Sequence, residues 1–265
     1  MTSNGSIIKP RALITGASSG IGRELAKIFA KNGCDLIIIA RREQLLNKLA
    51  SNLKENYGAD TYIISKDLAS IQAADDVASI LEKNSLRVDI LVNNAGFNEF
   101  GKFDHSTRWK KELDMITLHI ITTTRLTKLL VPQMIKRKFG RILNVSSISG
   151  IVPTPTTSVY AGSKAYILNF SESLSIELEG TGVSVTTLCP GFVRTELTET
   201  MSESGNVITE LILMDAEKVA KKAYKATMRG DDVSVPGWHY KLMTTLVRLL
   251  PRKFVGKVAG KFMGR

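Results

Sequence analysis

Apolar residues fall into two alternating rhythms along the chain: short continuous runs rich in Ile, Leu and Val, and longer stretches in which they recur every three or four positions. Runs of the first kind read as strands buried on both faces, and stretches of the second as amphipathic helices. Arg11–Thr15, Leu36–Ala40, Thr61–Ser65 and Val88–Asn93 are the first predicted strands, with helices over Ile21–Lys31, about Glu43–Tyr57 and about Ile71–Asn84 between them. The rhythm continues with a helix over about Ser106–Met134, a strand at Arg141–Val145, a helix over about Tyr160–Glu179 and a strand at Ser184–Leu188. Phe192–Leu213 shows no clear period and reads as a lid; a helix capped by Asp215 then reaches about Met228, and a last strand lies near Val233–Val235. Regular β-α-β alternation predicts an α/β protein: a doubly wound parallel sheet with helices on both faces. No repeat or low-complexity linker divides it, so residues 1–235 read as a single domain, with the lid at about 192–214 and an extension over 236–265.

Composition changes this picture at one end only. The chain has 265 residues, 43% of them hydrophobic and 23% charged, ordinary values for a soluble globular protein. Its net charge of +11 is concentrated: Val233–Arg265 holds seven Lys or Arg and no Asp or Glu, leaving +4 for the rest. The charge therefore belongs to a tail, and with no nucleic-acid-binding motif beside it no nucleic acid is expected as a partner. Cys34 and Cys189 lie far apart, and His105, His119 and His239 do not cluster around them, so a reduced interior without a metal is expected. No basic-then-apolar opening and no apolar run of membrane-spanning length is present, so a cytoplasmic location is expected.

Beyond Pro251, Phe254, Val258 and Phe262 can share one helix face while Lys253, Lys257 and Lys261 recur on another, a basic amphipathic helix. Three readings stay open. It lies peripherally on the inner membrane surface with Trp238 and Phe262 as anchors; it packs on its own domain or a subunit interface; or it meets an acidic protein.

Two short segments carry candidate chemistry. Thr15-Gly16-Ala17-Ser18-Ser19-Gly20-Ile21-Gly22 puts three glycines at a strand-to-helix junction, where absent side chains permit a tight turn and close approach of a pyrophosphate to the helix N-terminus. After the second strand stand Arg41 and Arg42 rather than an acid. An acid there would bind the ribose hydroxyls of NAD, whereas a guanidinium can pair with the extra phosphate of NADP, so NADP(H) is favoured. Tyr160-Ala161-Gly162-Ser163-Lys164 places a phenol and an ammonium one helical turn apart on one face, where the positive charge is expected to lower the tyrosine pKa.

Thr15–Gly22, Asn93-Asn94-Ala95-Gly96, Asn144-Val145-Ser146-Ser147, Tyr160–Lys164 and Pro190-Gly191 occur in an order and spacing that resembles the short-chain dehydrogenase/reductase family over about Lys9 to Gly230. That resemblance implies a Rossmann-type sheet, a nicotinamide cofactor and hydride transfer between the cofactor and a carbonyl or alcohol. It makes Tyr160 the proton donor to the carbonyl oxygen and Ser147 that oxygen's hydrogen-bond partner. Lys164 would lower the tyrosine pKa and bind the nicotinamide ribose. The implied cofactor-binding set is Gly16, Ser18, Ser19, Gly20, Ile21, Gly22, Arg41, Arg42, Asp67, Leu68, Asn94, Ala95, Gly96, Tyr160, Lys164, Pro190, Gly191, Val193 and Thr195. Within it Asp67 would meet the adenine, and Pro190-Gly191 and Thr195 would lie beside the nicotinamide amide. Asn93 would stabilise the sheet and cofactor loop. Asp67 and Asn93 can equally cap turns, and Ser146 finish its strand.

His119 departs from the family pattern, standing where an active-site Asn is usual. Neutral histidine can hold a water for a pH-sensitive proton relay, or simply pack against the sheet. Phe97, Phe100, Ile151, Val152, Phe192 and Thr198–Leu213 fall where the family builds its substrate pocket. They fit an apolar ketone, a steroid-like or an acyl substrate, or else pack a lid. The resemblance implies a carbonyl reductase working as a dimer or tetramer, though the altered ending puts the usual tetramer contact in doubt. A weakly catalytic NADP(H)-binding sensor or interaction protein on the same fold is the alternative.

Overall fold

The computed structural model describes residues 2–3, 6–7, 9–104, 108–196 and 213–262. Seven parallel strands form one sheet: β1 (Arg11–Thr15), β2 (Asp35–Ala40), β3 (Thr61–Ser65), β4 (Ile90–Asn93), β5 (Gly140–Val145), β6 (Val183–Leu188) and β7 (Val233–Ser234). Their spatial order is β3-β2-β1-β4-β5-β6-β7. The order reverses between β1 and β4, and open α/β sheets bind ligands beyond the carboxyl ends of the strands at such a reversal.

Strand alternation builds two cores. Ala12 and Ile14 of β1 and Leu36 and Ile38 of β2 meet helices α1 (Gly20–Lys31), α2 (Glu43–Tyr57) and α7 (Ala216–Arg229) on one face. Leu13, Ile37 and Ile39 meet α3 (Ala73–Lys83), α5 (Thr123–Lys136) and α6 (Ser158–Glu177) on the other. Burial of every β1 residue after Arg11 explains its continuous apolar run, since neither face of a doubly covered parallel strand reaches water.

Most predicted elements match within two residues, the usual ambiguity at an end. The long helix expected over about Ser106–Met134 does not. Ser106 lies outside the described residues; α4 (Trp109–Ile116) passes into a π-helical turn at Thr117–Thr122 before α5 begins. The wider turn accommodates more residues than the usual 3.6, which moves side chains around the axis in a way that periodicity does not register. Its Thr122 hydroxyl donates to the Leu68 carbonyl at 2.7 Å, tying it to the segment that follows β3. Helix α5 also runs through Pro132, whose missing N–H would have bonded the carbonyl of exposed Lys128.

The ending forms α8 (Trp238–Leu246) and α9 (Arg252–Phe262). Here the expected face of α9 is corrected: Phe254 and Val258 point outward with the lysines, while Val255, Gly256 and Gly260 are buried. The small residues win because Gly256 and Gly260 sit against Pro153 and Pro155, leaving about 3.3 Å for any added Cβ. The Phe262 side chain lies outside the described residues, as do residues 197–212 of the expected lid. The flanks of that segment are described: Val193–Arg194 pairs in parallel with Met214–Asp215. Among the described residues no helix is long and apolar enough to cross a membrane.

Candidate active site

The glycine turn after β1 is built by close approach. Gly16 has φ of +66°, and a Cβ there would sit 2.8 Å from the Ala95 Cα. A Cβ on Gly22 would come within 2.3 Å of the Gly16 carbonyl oxygen. Thr15, the first residue of the motif though outside the implied cofactor-binding set, is the hub: its hydroxyl donates to the Val92 carbonyl and accepts the N–H groups of Asn94 and Ala95 at 2.9 and 3.0 Å. The Asn94 amide donates to the carbonyls of Thr15 and Gly16. Two strand ends are thereby locked into one cradle.

The charged groups gather over this cradle. Ser19 precedes α1 without capping it through its side chain, so the first-turn N–H groups face outward with the positive end of the helix dipole. Arg42 donates instead to the Ser18 and Ser19 hydroxyls at 3.0 and 2.9 Å and pairs with Glu196 at 2.8 Å. Arg41 is largely exposed and stands 3.9 Å from the Asp67 carboxylate. Asp67 also accepts the Ala69 N–H at 3.0 Å, the contact of the turn-capping alternative to adenine binding. Leu68 is buried in the core, leaving only its backbone to meet a ligand.

The segment after β6 returns to the same place. Thr195 lies so close to Gly20 that a Cβ on that glycine would meet its methyl at 3.0 Å, and Val193 is buried against the core. Pro190 accepts the Ile148 N–H at 3.0 Å. Gly191 is overlaid by Tyr240, whose ring a Cβ would reach at 2.1 Å, and the Tyr240 hydroxyl accepts the Phe192 N–H at 3.1 Å. Tyr240 was not singled out from the sequence, and its only signal there is an aromatic on a helix that follows the last strand.

At the reactive end, Lys164 is 5% exposed and donates to the Val145 carbonyl at 2.8 Å. Burial brings its pKa down to about 8. The Ser147 hydroxyl lies beside the Tyr160 phenol, where it acts to lower the tyrosine pKa. The expected lowering of the tyrosine pKa is corrected: burial raises it above 10, with only the Ser147 hydroxyl opposing. Lys164 does not reverse this, because its ammonium stands over the ring, 5.6 Å from the centroid, and is itself only weakly held in the charged form. Ser146, buried, donates to the Lys164 carbonyl at 2.7 Å and so braces α6 as well as ending β5. Asn93 bonds Asn144 across the β4–β5 pair at 2.8 Å and Thr127 at 3.0 Å, matching its expected role in the sheet.

His119 is 1% exposed, and both ring nitrogens have protein partners. The Ser163 hydroxyl donates to the Tyr160 carbonyl at 2.7 Å, so it receives a hydrogen bond from His119 Nδ1 at 2.8 Å. Nε2 is then the unprotonated nitrogen and accepts the Phe97 N–H at 3.3 Å. Burial and the nearby Lys164 charge hold the imidazole pKa well below 6.5, so the ring is neutral. Gly96 packs against both groups, its added Cβ reaching 2.8 Å from Nε2 and 3.5 Å from Lys164 Nζ. Of the expected pocket residues, Phe97, Ile151, Val152 and Phe192 are partly buried near this cluster's loops, Phe100 is half exposed, and Thr198–Ile212 lie outside the described residues.

The cradle, the uncapped helix terminus and the two arginines suit a dinucleotide carrying an extra phosphate, and the sheet order is that of the Rossmann fold. The short chain dehydrogenase model matches residues 10–206, and the chain belongs to that family. Oxidoreductase UcpA of Salmonella typhimurium is 38% identical over 216 residues, covering 78% of this chain and 80% of that protein. A mouse very-long-chain 3-oxoacyl-CoA reductase is 29% identical over 266 residues, covering 96% and 81%. A solved short-chain dehydrogenase from Sphingobium yanoikuyae in complex with NADPH superposes with a TM-score of 0.78 at 30% identity, covering 90% and 92% of the two chains.

Proposed function

We propose that this protein reduces the carbonyl group of an apolar substrate to an alcohol using NADPH. The observation that carries this reading is the meeting of Ser147, Tyr160 and Lys164, with the Lys164 ammonium 5.6 Å from the centre of the Tyr160 ring. A phenol is protonated at neutral pH, so Tyr160 is in the form that donates a proton in reduction. In this reading the Ser147 hydroxyl holds the substrate oxygen and Tyr160 passes its proton to it. Bound NADPH supplies the hydride that the carbonyl carbon receives, completing the alcohol.

The remaining residues position these groups. The Lys164 ammonium, one donor spent on the Val145 carbonyl, has two left for the cofactor ribose and offsets the charge of the phenolate left behind. His119 acts as a neutral brace: through Ser163 it fixes the carbonyl of Tyr160, and through Phe97 it fixes the loop after Gly96. The glycine cradle and the α1 N-terminus receive the pyrophosphate, while Arg41, Arg42, Ser18 and Ser19 receive the 2′-phosphate. For that phosphate to bind, Arg42 exchanges its contact with Glu196 for one with the ligand.

Phe97, Ile151, Val152 and Phe192 supply apolar walls, which favour a bulky ketone, a steroid-like compound or a 3-oxoacyl thioester. The likeness to the mouse very-long-chain 3-oxoacyl-CoA reductase puts the thioester first. The test is NADPH absorbance against a panel of such ketones and thioesters, with NADH in parallel. Consumption with a clear NADPH preference is expected; tight NADPH binding with no consumption of any panel member overturns the reading.

A further inference from the structure

Helices α8 and α9 meet the rest of the protein through one side only. In α8 that side is Tyr240 and Thr244, both buried; in α9 it is Val255 with Gly256 and Gly260 against Pro153 and Pro155. The large apolar residues are on the opposite side. Trp238, Leu242 and Leu246 recur every fourth residue along α8 at 78%, 52% and 51% exposure. Leu249 follows at 81%, and Phe254 and Val258 continue the surface on α9 at 55% and 44%. A terminal helix hairpin that served only to cover its own domain would bury these side chains and expose the glycines. Here the arrangement is reversed.

The same outward side is cationic. At about 100° per residue, Lys253, Lys257 and Lys261 fall on one arc with Phe254 and Val258, and all three lysines are exposed. Lys241, Arg248 and Arg252 add exposed charge beside α8 and the turn between the helices. Residues 236–265 contain no Asp or Glu, and among the described residues none of these six cations is paired with an acid.

An exposed apolar surface rimmed by charge marks a contact site, and its chemistry selects the occupant. A second copy joined through this face by a two-fold axis would set six cations against six, with no acid among residues 236–265 of either copy to answer them. An anionic bilayer answers both features at once: headgroups take the lysines and arginines, whose apolar stems lie along the interface, and the acyl boundary takes Trp238, Leu249 and Phe254. We propose that α8 and α9 form a docking surface for anionic phospholipid membranes. Because α9 rests on Pro153 and Pro155, next in the chain to Ile151 and Val152, docking would set those apolar residues close to the lipid.

The test uses the full chain with vesicles of phosphatidylcholine alone and of phosphatidylcholine mixed with phosphatidylglycerol. Cosedimentation with the mixed vesicles is expected to exceed that with pure phosphatidylcholine at least tenfold and to fall as sodium chloride is raised. In a Trp109→Phe background, Trp238 emission is expected to shift to the blue on the mixed vesicles. Charge reversal in the Lys253→Glu, Lys257→Glu double variant is expected to weaken binding by about tenfold or more, and Trp238→Ser with Leu249→Ser to weaken it comparably, both with NADPH binding unchanged. Equal or absent binding to the two vesicle types overturns the proposal. So does sedimentation equilibrium showing a dimer that the Trp238→Ser, Leu249→Ser variant converts to monomer without any vesicle binding.

Discussion

Two groups of residues at the carboxyl edge of the sheet, the reactive end and the phosphate end, are made by opposite means. At the reactive end Lys164, His119, Ser163 and Ser146 are buried, and each is hydrogen-bonded to a backbone carbonyl or to another of the set. At the phosphate end Arg41 is largely exposed and Arg42 rests on two hydroxyls and a surface carboxylate. The difference follows from the work proposed for each. Burial is the main cause of the shifts of Lys164 and His119, and groups held inside in this way must be braced there. Capturing a doubly charged phosphate requires cations that water keeps charged and that can move to the ligand.

If the reactive end depends on that interior, the largest effect comes from its phenol. Tyr160→Phe is expected to lower kcat by about 10³-fold while NADPH binding, followed by its fluorescence, stays within twofold. Retained turnover would remove the phenol from the proposed chemistry.

Lys164→Met separates activity from stability. Turnover is expected to fall by about 100-fold, yet the variant is expected to be harder to unfold. The fall of the lysine pKa from 10.5 to about 8 corresponds to about 3 kcal/mol of cost for holding the charge inside. Methionine removes that cost and leaves the Val145 carbonyl without its donor, worth about 1 kcal/mol, for a net gain of about 2 kcal/mol in denaturant unfolding. The sign in pH is also set: below about 8 the native state carries the full penalty, and between about 8 and 10.5 the native lysine holds fewer protons than the unfolded one. Wild-type stability from this group therefore rises with pH across that window, and the variant lacks the rise.

The exposed end predicts a smaller and differently placed effect. Replacing Arg41 and Arg42 by Ala is expected to raise KM for NADPH by about 30-fold, the loss of charge-assisted hydrogen bonds, with kcat nearly unchanged and NADH kinetics unaffected. A matching loss with NADH would show that the arginines do not read the phosphate. The same variant makes activity with NADPH less sensitive to salt.

The smallest effect belongs to His119. Its native pKa is held below 6.5, so the unfolded chain takes up a proton that the native one excludes as pH falls below that value. Stability from this group is lost on acidification, and His119→Gln is expected to show a shallower decline of Tm below pH 6.5. Turnover in that variant is expected to drop only a few-fold, with the acid limb of the pH–rate profile in place. Disappearance of that limb would make His119 a proton carrier rather than a brace.

The regular part of this protein was legible before any coordinates. Continuous runs such as Leu36–Ala40 and periodic stretches such as Glu43–Tyr57 follow from burial on two faces or one, which local sequence reports directly. The glycine turn was legible for a similar reason: its backbone needs are met residue by residue. The π-helical turn at Thr117–Thr122 was not, because one widened turn hardly alters an apolar pattern, and Tyr240 was not, because its partner Gly191 is far away in the chain.

The same division holds for the chemistry. Residue types and spacing by themselves determined the parallel α/β plan, the dinucleotide turn, the phenol–ammonium pair and the concentration of positive charge at the end of the chain. Only the tertiary structure decided the direction of the Tyr160 pKa, the neutral state of His119 and which side of α9 faces outward. Each of those depends on how much water and which charges surround a group, and they are contributed by residues distant in sequence that meet only when the chain has folded.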